Sequence, residues 1–136
     1  MGKVSGMILV FVCCILWVGT AFCAPNMQDG LWEITTTVEM KGMQAGMMQP
    51  MTHTSCLTQK DSVPDKPAKS ECKMSDMKYE GNTVSWTVTC PEAVSKGKVT
   101  YSGSTFDGTT ETTMNHHGEK TQVKNKMKGK RIGPCK

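Results

Sequence analysis

The stretch from Cys72 to Cys90 leaves the backbone little choice. Gly81-Asn82 lies at its centre, and these residue types accept the positive φ angles of a tight hairpin turn. From Thr83 to Cys90 the residues alternate strictly. Val84, Trp86, Val88 and Cys90 fall on one face, and Ser85, Thr87 and Thr89 on the other. That period of two marks a strand with one buried face. Cys72 and Cys90 are equally distant from Gly81, so closing the hairpin sets them opposite each other. Opposed residues in paired strands hold their Cα atoms roughly 4.5–5.5 Å apart, a span a disulfide accepts. A cross-strand Cys72–Cys90 disulfide is therefore predicted.

The other cysteines sort by position. Cys13, Cys14 and Cys23 fall in the first 23 residues, where Lys3 precedes the unbroken apolar run Met7–Val18 and the small-residue tail Gly19–Ala24. This is the layout of a secretory signal peptide. The run is shorter than the ~20 apolar residues of a spanning helix, and Pro25 stops its extension. Cleavage is expected between Ala21 and Pro25, leaving a mature chain that starts near Ala24. A retained anchor and a lipid-modified Cys23 are the alternatives; Phe22 before Cys23 disfavours the second. Residues 24–136 then form one domain. Four cysteines remain in it, an even number typical of small exported chains. With Cys72 and Cys90 joined, Cys56 pairs with Cys135. The longer loop is worth roughly 4–5 kcal/mol in the chain-entropy account, against roughly 3 kcal/mol for the shorter. The rival, a four-cysteine zinc site, lacks any Cys-x-x-Cys pair.

The rest of the chain reads as strands. Trp32, Ile34, Thr36, Val38 and Met40 alternate with Glu33, Thr35, Thr37 and Glu39. Thr52–Leu57 forms a short strand carrying Cys56. Thr58–Asp61 is expected to cap one helical turn, and Pro64 and Pro67 to hold an extended connection. In the first strand of the central hairpin Met74 and Met77 are out of phase, which a bulge near Asp76 reconciles. Pro91–Gly97 reads as a loop. Lys98–Phe106 and Thr109–His116 read as a second hairpin around Asp107-Gly108, with Gly103 bending its first strand. Lys120–Arg131 is the last strand, with Lys124, Lys126, Lys128 and Lys130 on one face and Thr121, Val123 and Met127 on the other. The expected fold is all-β: an antiparallel up-and-down sheet of six to seven strands. One face is apolar, with Trp32, Ile34, Val38, Val84, Trp86, Val88, Val99, Tyr101, Val123 and Met127. No segment makes a helix long enough to cover it. The sheet should curl into a small barrel or half-barrel, stapled by its disulfides and partly closed by Lys41–Glu71.

Several strings occur together in order: Gly30-Leu31-Trp32-Glu33-Ile34-Thr35, Thr54-Ser55-Cys56-Leu57-Thr58 after a Met/Gly/Pro loop, Asn82-Thr83-Val84-Ser85-Trp86 before Cys90, Tyr101-Ser102-Gly103 before Phe106-Asp107-Gly108-Thr109, and Gly129-Lys130-Arg131-Ile132-Gly133-Pro134-Cys135. The chain resembles the bacterial domain-of-unknown-function family 3617, small exported proteins, over nearly the whole mature length. The resemblance implies a periplasmic or secreted location and supports the four-cysteine reading. It brings neither an activity nor functional residues.

Charge and motifs narrow the function classes. The chain carries +4, and removing residues 1–23 takes away Lys3 and leaves +3. Neither this mild charge nor export suggests nucleic acid. His53, His116 and His117 are the only histidines, and no nucleophile elbow, His-x-x-x-His or phosphate loop is present. Adjacent His116 and His117 are expected on opposite faces of a strand. An enzyme is not expected. Met40, Met43, Met47, Met48 and Met51 fall within twelve positions, with His53 just beyond. Thioether and imidazole together suit Cu(I), so Met43, Met47, Met48, Met51 and His53 are candidate ligands; otherwise no cofactor is expected. Methionine also packs loops over apolar cores, so the loop reads first as a lid over the barrel mouth, with Trp32, Met43, Met47, Met51, Trp86 and Tyr101 around a ligand, and copper is the lesser reading. The lysine row reads as protection of an exposed strand edge, or as attraction to an anionic surface. The resulting expectation is an uncharacterised monomeric exported protein that binds a small apolar or amphipathic ligand. Its alternatives are a structural or interaction protein of the envelope and a periplasmic Cu(I)-binding protein. Contact with the membrane is expected only through an uncleaved signal segment.

Expression in a bacterium with the native leader should yield periplasmic protein shortened by residues 1–21 to 1–24, as read by intact mass. Full-length protein in the membrane fraction would establish a retained anchor instead.

Overall fold

In the computed structural model of the chain, residues 24–44, 48–67 and 71–136 are described. Residues 1–23, the expected signal peptide with Cys13, Cys14 and Cys23, and Met47 of the methionine loop lie outside them. Alternation along the sequence resolves into seven strands: β1 (Gly30–Met40), β2 (Met51–Leu57), β3 (Lys73–Glu80), β4 (Thr83–Cys90), β5 (Ala93–Ser102), β6 (Thr105–His116) and β7 (Glu119–Gly133). All pair antiparallel in one sheet of order β2-β1-β7-β6-β5-β4-β3. Successive hairpins carry the chain from β3 to β7, and β7 then returns beside β1. The edges β2 and β3 do not pair with each other, so the sheet is an open half-barrel and not a closed barrel.

The central hairpin forms where alternation places it, with a two-residue turn. Only Gly81 takes a positive φ, +59°, as the first position of a II′ turn requires. The bulge lies between Ser75 and Lys78, with Asp76 at φ +52°. Asp76 and Met77 together oppose Trp86, which puts both Met74 and Met77 on the inner face. The bulge also sets the disulfide. The turn alone pairs Glu80 with Thr83, and an unbroken register would bring Lys73 opposite Cys90. The extra residue shifts Lys73 to Thr89 and Cys72 to Cys90. The Cys72–Cys90 Cα atoms are 4.3 Å apart, close to the ~4.5 Å of a non-hydrogen-bonded pair. Cys56 and Cys135 form the second disulfide.

The second hairpin turns elsewhere than the sequence suggests. Its corner is Gly103-Ser104, with Gly103 at φ +68°, and Asp107-Gly108 lies inside β6. A turn at Asp107-Gly108 would take Phe106 off its place opposite Tyr101, and burial of that ring outweighs the local turn preference. The expected loop Pro91–Gly97 shrinks to the turn Pro91-Glu92, because β5 starts at Ala93. Thr58–Asp61 makes no helical turn. Its ends exchange two backbone hydrogen bonds, Thr58 N to Asp61 O at 3.2 Å and Asp61 N to Thr58 O at 2.9 Å.

The core lies on the inner face. Trp32 packs against Phe106 at 5.5 Å and Tyr101 at 5.8 Å between ring centroids, and Tyr101 against Phe106 at 5.4 Å. Ile34, Leu57, Val84, Trp86, Val88, Val99 and Met127 complete it from the sheet. Two glycines make room for the largest rings. Gly97 lies across from Trp86 and Gly129 across from Phe106, and a Cβ on either would enter the aromatic ring opposite. The cover is not the methionine loop. Ser62, Val63 and Pro64 are buried between β2 and β3 in sequence, and Met27 is buried where the chain before β1 bridges to Gly103. The Tyr101 hydroxyl donates to Ser62 O at 2.6 Å, which ties this cover to the sheet.

Replacing Gly129 by Ala should lower stability by about 1–3 kcal/mol, the usual cost of overpacking, read from the denaturant midpoint. Gly133→Ala is the control, because a Cβ there meets nothing within 4 Å; it should stay within about 0.5 kcal/mol of the parent.

Burial, with the charge of Asp61 adding to it, pushes the Tyr101 phenol far above its ordinary value. An acid raised on folding stabilises the native state below its unfolded pKa, near 10. As pH rises past that value the unfolded chain ionises first, so stability falls. Above pH ~10 the parent should therefore lose stability more steeply than Tyr101→Phe, while at neutral pH the variant should be about 1 kcal/mol weaker for the lost hydrogen bond. Parallel slopes in urea titrations at high pH would overturn this.

Candidate functional site

Strand register divides the inner face into rows. One row runs Ile34, Gly129, Phe106, Tyr101, and the next Thr36, Met127, Gly108, Val99, Val84. These belong to the packed core. The following rows differ. Val38, Asn125 and Thr110 lie side by side on β1, β7 and β6, and beyond them Met40, Val123 and Thr112. Aromatic side chains are absent from both triplets, and Val38 and Met40 are only half-buried.

At this end β1 runs past β2, whose pairing stops at Thr36–Met51, and the methionine loop begins. A cavity of about 450 Å³ opens there. Val38, Met40 and Val123 give it an apolar wall from the sheet, Met43 and Met48 line it from the loop, and Lys41, Lys124, Glu39 and Glu111 stand among its polar lining. A neighbouring depression of about 510 Å³ shares Met40, Lys41 and Met43 and adds Lys120. The combination is one apolar wall, adaptable thioethers and a charged rim. Such a surface suits a molecule with an apolar body and a polar end.

Polar groups beneath the cavity are unevenly satisfied. Ser95 and Thr112 share a hydrogen bond of 2.6 Å between their hydroxyls. Thr110 Oγ1 and Asn125 Oδ1 are buried without a partner among the described residues. They face each other across β6 and β7, one row below the cavity wall.

The sequence-derived ligand residues separate. Trp32, Trp86 and Tyr101 are sealed in the core at 0–2% exposure, so none of them lines an opening. Trp32 spends its indole N–H on Gln28 O at 3.2 Å. Met43 lines the cavity. Met51 is 62% exposed and lies outside the cavity lining, on the inner face of β2. Of the candidate copper ligands, Met43 and Met48 share the cavity with Met40, whereas Met51 and His53 stand apart on the edge strand. Among the described residues no three His, Cys, Asp or Glu side chains are grouped as a metal site. His116 and His117 do not point to opposite faces of a strand. His117 leaves β6 with φ +49°, and the two rings meet at 4.2 Å.

Sequence alternation had already put Val38 and Val123 on the inner face. It missed Asn125, although Asn125 falls between Val123 and Met127 in the same odd-numbered phase. Its polarity masked its position.

The lysine row also changes meaning. β7 is the third strand of seven, flanked by β1 and β6, so its lysines guard no edge. Three of them meet acids on the flanking strands: Lys124–Glu111 at 3.5 Å, Lys126–Glu39 at 2.7 Å and Lys128–Asp107 at 3.9 Å. These pairs are largely solvent-exposed and individually worth little, but they offset three of the row's four lysines across the outer face.

Two disulfides in so small a domain indicate an oxidising compartment outside the cytoplasm. No curated protein and no solved structure matches the chain. Residues 27–135 match the family described as protein of unknown function (DUF3617), and the chain belongs to that family.

Proposed function

We propose that this is an exported, non-catalytic binding protein that takes a small apolar or amphipathic ligand beneath its methionine loop. One observation carries the reading: the cavity of about 450 Å³ between the apolar wall Val38, Met40 and Val123 and the thioethers of Met43 and Met48. Its volume falls in the range of small-molecule sites. Lys41 and Lys124 stand on its lining beside Glu39 and Glu111, with Lys124 paired to Glu111, so the rim suits a polar end without fixing the sign of its charge. The leader-like start, Lys3 with Met7–Val18, and the two disulfides support a periplasmic or secreted location.

A second reading has its own support. Met40, Met43 and Met48 bring three soft sulfur ligands to one cavity, a set that suits Cu(I). Met40 replaces Met51 and His53 in this version of the site.

Native mass spectrometry of periplasm-purified protein, followed by Cu(I) titration, separates the readings. A co-purifying organic mass that disappears in Val123→Asp, with the disulfides intact, is the expected result. Stoichiometric Cu(I) uptake abolished by Met40→Leu, Met43→Leu and Met48→Leu together would establish the metal reading. A clean apo mass, no copper uptake and an unchanged thermal midpoint with lipid extracts would sink both and leave an envelope structural or interaction role.

A further inference from the structure

The two edges of the open sheet are built differently. β3 carries Lys73, Asp76, Lys78 and Glu80, and its bulge at Asp76 breaks the ladder. Charges and bulges are the devices that stop an edge strand from recruiting another strand. β2 has none of them. Its sequence Met-Thr-His-Thr-Ser-Cys-Leu contains no Lys, Arg, Asp, Glu, Pro or Gly. It pairs with β1 in unbroken register from Thr36–Met51 to Gly30–Leu57. Among the described residues nothing pairs with its other side. The Cys56–Cys135 disulfide anchors it at one end, so the edge is held as a strand before any partner arrives, which lowers the cost of docking.

We infer that β2 is a strand-addition edge whose occupant is a second copy of this chain, paired antiparallel about Thr54. Leu57 is buried in the core, so the open stretch of the edge is Met51–Cys56, and pairing about Thr54 matches Thr52–Cys56 of one copy with Cys56–Thr52 of the other. Thr54 meets Thr54, His53 meets Ser55, and Thr52 meets Cys56. Cross-strand threonine pairs already occur in the sheet, at Thr35–Thr52 with 3.2 Å and Thr83–Thr100 with 2.9 Å between hydroxyls. No Lys, Arg, Asp or Glu side chains are set opposite one another, because the strand contains none. An acidic or basic peptide would find no complementary charge there, whereas a neutral, self-complementary strand matches itself.

The asymmetry of the edges also limits the assembly. One receptive edge per copy closes at two copies. Two receptive edges would continue head to tail into a fibre. The guarded β3 and open β2 therefore specify a dimer with one continuous sheet, in place of the monomer expected from the sequence. The interface is a single strand pair, so its affinity belongs to the weak and reversible class.

Sedimentation velocity of the disulfide-intact protein from low to high micromolar concentration tests this. The expected result is a reversible monomer–dimer equilibrium. Thr54→Lys should raise the dissociation constant several-fold by setting like charges opposite each other, with an unchanged thermal midpoint at low concentration. Mixing Thr54→Lys with Thr54→Glu should restore a heterodimer tighter than either variant alone. Amide exchange gives a reading that needs no variant: protection within 51–57 should rise with protein concentration while that of 73–80 stays constant. A monomer at every concentration, or a dimer indifferent to Thr54→Lys, overturns the inference.

Discussion

An apolar sheet face needs a second layer, and this domain has no helix among its described residues to supply one. The solution is curvature plus a short cover, and both depend on the contact of Phe106 and Trp86 with glycine. Gly129 and Gly97 remove side chains where the neighbouring rings must lie, which lets the aromatic side chains fill the inner face from within the sheet. Tyr101 then reaches Ser62 O and fixes the buried segment Ser62–Pro64 over the same cluster. A closed barrel is unnecessary once that segment is in place.

The strand content was legible because alternation is a local property. Thr83–Cys90 shows it without a break, and its ends agree with the structure. The bulge at Asp76 was legible too, since Met74 and Met77 cannot share a face without an extra residue between them. What local pattern could not decide was competition between two turn signals. Asp107-Gly108 and Gly103-Ser104 both invite a hairpin, and only the need to set Phe106 beside Tyr101 and over Gly129 chooses between them. That need is a long-range one, carried by residues of three strands. The sheet order is a similar case. Nothing in the Lys120–Arg131 pattern reveals that β7 lies between β1 and β6, so its lysines looked like edge guards.

The candidate site was half legible. Methionine-rich composition drew attention to this loop, and a cavity does form at its base through Met40, Met43 and Met48. The aromatic residues grouped with it failed because large rings are the first to be buried in a small domain. Trp32 and Tyr101 have no exposure left for a ligand. The cavity is lined instead by what the core leaves over: Val38 and Val123 at the sheet end, beside Met43 and Met48. Thr110 and Asn125 mark the border, where inner-face positions stop being apolar.

The pairing of β1 with β7 has a kinetic meaning. β1 is the first strand in the sequence and β7 the last, and their register runs from Leu31–Gly133 to Met40–Val123. Hairpins β3 through β6 can zip locally, but the aromatic cluster lacks Trp32 and the Gly129 recess for Phe106 until these distant segments meet. Closing so long a loop costs entropy before any contact repays it, and folds of this kind are slow. The first strand must therefore wait, half-paired with β2 alone, until the last one has arrived. Cys56 on β2 and Cys135 after β7 are joined across that same closure, so the bond ties together the two segments whose meeting costs the most chain entropy.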